Sequence, residues 1–411
     1  MSRDIEGVAI TQVAEGHPWR ILATLSALLG FASISTDFYL PAMPTMALSL
    51  GASAGAMGWT ISAYLAGFSL GQLLWGPIGD RYGRRLPVAI GLVLFIIGSA
   101  GCGLSTTAVM MICCRVVQAA GACAGVVLAR AMIRDLYEGD RAAQMLSALM
   151  TVMAVAPLLG PVIGGQILVV AGWRAIFATL VAVGVLTLIA LLRLPETLPA
   201  HRRNREPLGQ AFKQYGHLIR GRRLIGYAGA GGFFFAGTFA YIAGSPFAYI
   251  VYHHVPARFY GLLFGLGIVG IMVTSSVNSR LVTRFGTRRM LIAGSSAAAL
   301  AGILLSVNAR TDWAGLWGLV VPMFLFVSAT GFIVANAVAG ALADFPNRAG
   351  AVSALVGAIQ YGGGILGSAL VGFVADGTPW PMGWVVGISG LGCVACAMFI
   401  PERDLREPTD L

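Results

Sequence analysis

Lysine is almost missing from this chain: of 27 lysine and arginine residues among 411, only Lys213 is a lysine. Charged residues of both signs make up 11% of the sequence, less than half the share of about 25% that keeps a soluble domain in water. Histidine is scarce too, five in all, and none falls deep in an apolar run, so histidine-based catalysis has no raw material where the chain is most buried. The six cysteines, Cys102, Cys113, Cys114, Cys123, Cys393 and Cys396, lie within apolar runs, where they serve as small packing residues rather than a disulfide framework. Cys393 and Cys396 have the C-x-x-C spacing, yet no second pair or histidine joins them, so no metal or redox role follows.

What is present in quantity is apolar. Hydrophobic residues account for 57% of the chain and glycine for 55 positions, the composition of an integral membrane protein. Apolar runs fall at about 20–43, 54–77, 86–105, 107–130, 142–170, 173–194, 224–252, 257–281, 288–307, 314–341, 350–375 and 380–400. A helix needs about 20 residues to cross the hydrocarbon at about 1.5 Å per residue, so these runs predict twelve spans, and their continuity excludes a β-barrel. The first twenty residues include Asp4, Glu6 and Glu15 and lack the basic start of a secretory leader, so the first run is expected to be retained.

The net charge of +10 reads as membrane topology rather than as affinity for nucleic acid, because the arginines cluster at span ends. With both termini cytosolic, the inner segments collect Arg81, Arg84, Arg85, Arg130, Arg134, Arg141, Arg280, Arg284, Arg288, Arg289 and Arg348, and only Arg174, Arg258 and Arg310 stay outside. One long polar connection, Pro195 to Arg223, holds His201, Lys213 and His217 and separates six spans from six. The expected organisation is a cytosolic tail at 1–19, a six-helix bundle at 20–194, a cytosolic loop at 195–223, a second six-helix bundle at 224–400 and a tail at 401–411.

Gly76 to Arg85 is a charged turn between two apolar runs, in which Asp80 can accept from an arginine or a helix N-terminus while Arg81, Arg84 and Arg85 hold the inner surface. A weaker echo, Thr283-Arg284-Phe285-Gly286-Thr287-Arg288-Arg289, follows the eighth run with Thr283 in the acid's place. Ser147-Ala148-Leu149 and Ser353-Ala354-Leu355 form a second pair, and both echoes are about 205 residues apart, the spacing of a duplicated six-helix unit. Two such halves around a midplane cavity predict alternating access.

One carboxylate alone is placed deep in a span. Asp37 lies about 25 Å of helix rise beyond Arg20, where a charge costs about 2.5 to 3.5 kcal/mol unless it faces a wet cavity. It is expected to take up protons and to meet substrate, against the blander reading of a carboxyl at a helix break near Pro41. Arg115 is the one arginine well inside a span, with Gln118 a turn later, and is expected to be the electrostatic partner of Asp37. The blander reading there is a fixed ion pair joining helices 1 and 4. In the fifth run Pro157, Gly160, Pro161, Gly164 and Gly165 predict a bent helix that a neighbour approaches closely. Gly265, Gly267 and Gly270 match a dinucleotide fingerprint only formally, since no strand precedes them. An aromatic cavity wall is expected from Tyr64, Phe233, Phe234, Phe235, Tyr241 and Tyr361, with helix packing as the competing reading for each.

These stretches together resemble the Bcr/CflA branch of the drug:H+ antiporters in the major facilitator superfamily, over about residues 19–400. The resemblance rests on the turn at Gly76 to Arg85, on Ser35-Thr36-Asp37-Phe38-Tyr39-Leu40-Pro41-Ala42-Met43-Pro44, on Arg115 with Gln118, and on Arg130 to Tyr137. Gly160-Pro161 with Gly164-Gly165, Ser245 to Ile250, Asn278 to Val282 and Ala343 to Gly350 extend it. It implies an all-α, polytopic membrane protein of twelve helices in two pseudo-symmetric bundles that exports small molecules in exchange for protons. It also implies proton coupling and substrate recognition at Asp37, proton handling at Arg115 and an antiporter mark in helix 5. Two positions depart from the pattern: Leu29 stands where some related exporters carry a second acid, and Ala119 where glycine usually follows the glutamine.

The reading is a proton-coupled exporter of amphiphilic drugs, such as phenicol- or bicyclomycin-like compounds, in a bacterial inner membrane. Export of a sugar, nucleoside or amino-acid derivative is the alternative, ahead of a nutrient importer, an intramembrane enzyme or a receptor. Asp37, Tyr39, Tyr64, Gln118, Phe234, Tyr241 and Tyr361 are the expected cavity residues. Gly76, Asp80, Arg81, Gly83, Arg84 and Arg85 form the expected gate. The expected partners are a small molecule, protons and the bilayer, with the protein acting as a monomer and without a catalytic residue, cofactor or metal.

Overall fold

The computed structural model describes residues 18–137, 139–200, 203, 221–345 and 349–401. The tail up to residue 17, most of the central connection with His201, Lys213 and His217, Arg348, and the tail from 402 lie outside the described residues. No strand occurs among the described residues, and helices follow one another through the chain. They are α1 (Pro18–Asp37), α2 (Ala54–Tyr82), α3 (Arg85–Leu104), α4 (Ala108–Leu136), α5 (Gly139–Ala171) and α6 (Trp173–Leu192). The second set is α7 (Arg222–Pro246), α8 (Ala257–Phe285), α9 (Thr287–Thr311), α10 (Trp317–Leu342), α11 (Ala349–Phe373) and α12 (Trp380–Met398).

Ten of the helical stretches are long and apolar enough to cross a membrane. The other two expected spans are α2, 29 residues long, and α5, 33 residues long, of which Val155–Ala171 forms a shorter apolar helix. Leu186, Leu262, Leu300 and Leu366 are exposed on the flanks, an apolar exterior suited to lipid rather than to water.

Within the first bundle α4 packs on α2 and α3, and α1 packs on α5 and α4; within the second α9 packs on α12, and α7 packs on α11 and α12. The bundles meet along two seams, α2 with α11 and α5 with α8. Both seams lie toward the end of the molecule away from Arg84. Along the first, Gly55 and Gly58 abut Gly372, Ser62 hydrogen-bonds Ser368 at 2.8 Å, and the Phe68 and Tyr361 rings meet at 5.1 Å near mid-helix. Farther toward the arginine end, Gly76 has open space beside it. Along the second seam, Gly261 of α8 lies against Pro161 and Val162 of α5, and Gly165 lies against Ala257 and Arg258.

Two helices are broken where proline withholds an amide donor. α1 stops at Asp37, a short 3-10 turn covers Leu40–Ala42, and Met43–Ser49 resumes the helix, since Pro41 and Pro44 cannot donate back to Asp37 and Leu40. α7 passes Pro246 into a wide π turn over Phe247–Tyr252.

Candidate functional site

Asp37 sits at the α1 break with 6% of its surface exposed. It faces α5 at Gly160, where an added Cβ would lie 2.7 Å from that of Asp37, and a Cβ on Gly164 would collide with the Phe38 carbonyl. Glycine at these two positions is therefore what lets α5 approach the break. The opposite face of the same α5 turn meets α8 through Gly261, next to Tyr260. Tyr260 is fully buried and shares a 2.8 Å hydrogen bond with Ser245. Asp37 thus stands at the seam between bundles rather than against lipid.

Arg115 is not bonded to Asp37, which corrects the expected pairing. Its Nη1 donates to the Ser35 carbonyl at 2.8 Å and to Gln118 Oε1 at 2.7 Å, and its guanidinium lies 4.3 Å from the ring centroids of both Tyr39 and Tyr64. The physical reason is the helix break: α1 ends two residues after Ser35, leaving carbonyls without a following turn of amides, and a guanidinium is well placed to donate to them. The cage is closed by further bonds, Gln118 Nε2 to Ser99 Oγ at 2.8 Å, Tyr64 with Ser35 Oγ at 2.6 Å and Tyr39 with Thr60 at 2.9 Å. Arg115 Nε and Nη2 have no hydrogen-bond partner.

The expected aromatic residues divide into two groups. Tyr64 stacks on Phe68, which reaches Tyr361, and Tyr361 in turn contacts Phe235 and Phe239, so one run of rings crosses the seam. Tyr241 stacks on Phe264 of α8 at 5.7 Å. Tyr39, Gln118 and Phe234 are placed elsewhere than expected. Tyr39 and Gln118 are fully buried inside the first bundle around Arg115, and Phe234 stacks on Phe326 of α10 inside the second. Phe233 is 43% exposed on the outer flank beside α12. Adjacent residues of a helix point about 100° apart, so the run 233–235 cannot face one cavity together.

The turn between α2 and α3 is tied into its own bundle. Arg84 donates through Nη1 to Asp80 at 2.6 Å and through Nε to Asp135 of α4 at 2.9 Å. Burial alone would lower its pKa, but the bonds and charges of Asp135 and Asp80 outweigh burial and hold the guanidinium above the usual arginine range. Glu196, at the end of the first bundle, accepts from the backbone amides of Arg84 at 2.7 Å and Arg85 at 3.2 Å, an anionic cap on the N-terminus of α3. Arg85 donates to the Leu192 carbonyl. Gly83 has φ +95° and its absent Cβ would lie 2.6 Å from Glu196 Oε2, so glycine is required there twice over. Arg81 lies over the Tyr82 ring at 5.7 Å. Sequence reasoning passed over Glu196, although an acid right after a span and a proline was the available signal. It also missed Tyr260, Ser62 and Ser368, for which no local signal exists.

The Major Facilitator Superfamily matches this chain over residues 25–254 and 230–410. An uncharacterized MFS-type transporter of Bacillus subtilis, YdgK, is 34% identical over 92% of this chain and 96% of its own length. The bicyclomycin resistance protein homolog of Haemophilus influenzae is 31% identical over 94% and 97%. Among solved structures, the xylose transporter XylE from E. coli in a partially occluded inward open conformation superposes with a TM-score of 0.69, at 18% identity, over 95% of this chain and all of that one. With two facing helical bundles among the described residues and relatives matched along nearly their whole length, this multi-pass membrane protein belongs to the Major Facilitator Superfamily and is one of its transporters.

Proposed function

We propose that this protein exports small amphiphilic molecules, bicyclomycin-like or phenicol-like antibiotics among them, in exchange for entering protons. The positive-inside rule assigns the end that carries Arg84 to the cytosol, with both termini on that side. The seams then close the external face, an arrangement in which cargo is collected from the cytosol.

The observation that carries the reading is the place of Asp37: a carboxylate without a bonded cation, at a helix break, wedged where α5 of one bundle meets α8 of the other. Its charge changes with protonation, and a charged carboxylate in a sealed seam is costlier than a neutral one. Protonation therefore favours the closed seam and release of the proton favours its opening, which links proton flow to the rocking of the bundles. One proton moving through 100 mV releases about 2.3 kcal/mol, enough to sustain a gradient of roughly fifty-fold for a neutral solute. The ring series from Tyr64 through Phe68 to Tyr361 suits flat apolar cargo held by area rather than by a fixed set of hydrogen bonds.

The test is growth of cells that express the protein on a panel of antibiotics, with Asp37→Asn at equal membrane levels beside the parent. Protection that disappears in the variant supports the reading. Protection unchanged in the variant sinks it.

A further inference from the structure

The two halves of the chain treat the same turn differently. In the first half Asp80 and Asp135 neutralise Arg84, and Glu196 caps the helix behind it. In the second half Thr283 stands in place of Asp80 and Thr287 in place of Arg84, and the sequence has no acidic residue between Glu206 and Asp312. Arg280, Arg284 and Arg289 are exposed there, and among the described residues no carboxylate lies within ion-pair distance of them. Arg284 rests only over the Phe285 ring, at 5.5 Å.

With Arg289 in its wall and Phe285, the neighbour of Arg284, beside it, an apolar groove of about 630 Å³ runs between α8, α9 and α10 on the outer flank of the second bundle. Arg289 stands at one end, Ala293 and Ala297 form part of the floor, Phe285 and Phe332 line the sides, and Leu304 lies at the far end. Arg289 to Leu304 spans 15 residues of α9, about 22 Å of rise, against about 15 Å for half of the hydrocarbon core. A headgroup and one tail from a single leaflet fit that length.

We propose that this groove binds one anionic phospholipid, with its phosphate between Arg284 and Arg289 and one acyl chain along α9. The lipid phosphate then supplies a counter-charge to arginines that have none nearby in the sequence. A zwitterionic lipid carries its own cation and meets the arginines less well. A second copy of the chain, packed symmetrically through this flank, would bring its own basic turn against this one. Transport cargo belongs to the seam at Asp37, on a different face from the groove.

The experiment uses the purified full-length protein in detergent, supplied with phosphatidylglycerol or phosphatidylcholine of the same tails. Thermal unfolding and native mass spectrometry report the outcome. Phosphatidylglycerol is expected to raise the unfolding temperature and to be retained as one discrete adduct, and phosphatidylcholine to do neither. Arg284→Gln with Arg289→Gln is expected to weaken retention by about fivefold for each arginine, with the lipid-free unfolding temperature unchanged. Ala297→Trp, at an exposed position, is expected to expel the adduct while both arginines remain. Equal retention of the two lipids, undiminished selectivity in the arginine variant, or an adduct that survives Ala297→Trp overturns the proposal. A dimer that Ala297→Trp dissolves without any lipid effect assigns the groove to a second copy and overturns it as well.

Discussion

Ser62 of α2 and Ser368 of α11 share a 2.8 Å hydrogen bond across the two bundles, buried in the seam away from the arginine turn. Opening that end requires this contact to part. Cysteines at both positions are expected to form a disulfide on oxidation, since their side chains already meet, and to stop transport until a reductant is added. Gel mobility and uptake into vesicles read the two effects. An oxidised pair that transports at the parent rate excludes parting of this seam from the cycle.

Gly164 leaves no room for a side chain beside the Phe38 carbonyl, and Gly160 little beside Asp37. Gly164→Val is expected to destabilise the protein by about 1 to 3 kcal/mol through overpacking, visible as a lower unfolding temperature. Gly76→Ala, where space is open, serves as the control and is expected to leave stability within about 0.5 kcal/mol.

Arg84, Asp135 and Glu196 bind three separate pieces of the first bundle. Arg84→Ala leaves Asp135 without its bonded cation and is expected to cost about 2 to 3 kcal/mol. Glu196→Gln keeps an acceptor but loses the anionic cap and is expected to cost about 1 kcal/mol. Denaturation of the single and double variants gives the coupling between the two sites, and strict additivity would show that the node does not act as one unit.

The Arg115 cage needs a flat cation between two rings. Arg115→Lys keeps the charge but cannot span Tyr39, Tyr64, Gln118 and the Ser35 carbonyl together, so a loss of about 2 kcal/mol is expected in thermal unfolding. Parent-like stability in the lysine variant would show that a point charge suffices.

His253 follows α7 outside the span. Burial lowers its pKa from the usual 6.5, with His254 adding to this and Asp312 at 3.9 Å opposing it. The folded protein therefore binds this proton less readily than the unfolded chain. Its contribution to stability is present above about pH 6.5 and is lost as pH falls through the lower folded value. His253→Gln is expected to flatten the acidic limb of a stability-versus-pH profile.

The fold was legible because hydrocarbon imposes rules that act on sequence directly. A span must be long, apolar and helical, and its arginines must gather at the ends, so runs of residues and a turn such as Gly76 to Arg85 suffice to give twelve helices in two sets of six. Asp37 was legible for the same reason, as the one acid placed deep in a span. Arg115 could be singled out by depth, but its partners could not: the choice between the Asp37 carboxylate and the Ser35 carbonyl depends on where α1 breaks and how α4 is rotated. Rotation also separates Phe233, exposed to the flank, from Phe234, buried against Phe326, although the two are neighbours in the chain. Ser62 and Ser368 are 306 positions apart, and nothing local in either sequence segment calls for the other. Composition and charge determined how many helices there are and how they are strung together, since the bilayer acts on each segment separately. Which side chains meet was decided by packing alone, because contact between distant segments depends on helix rotation and approach, and these follow from the assembled bundles.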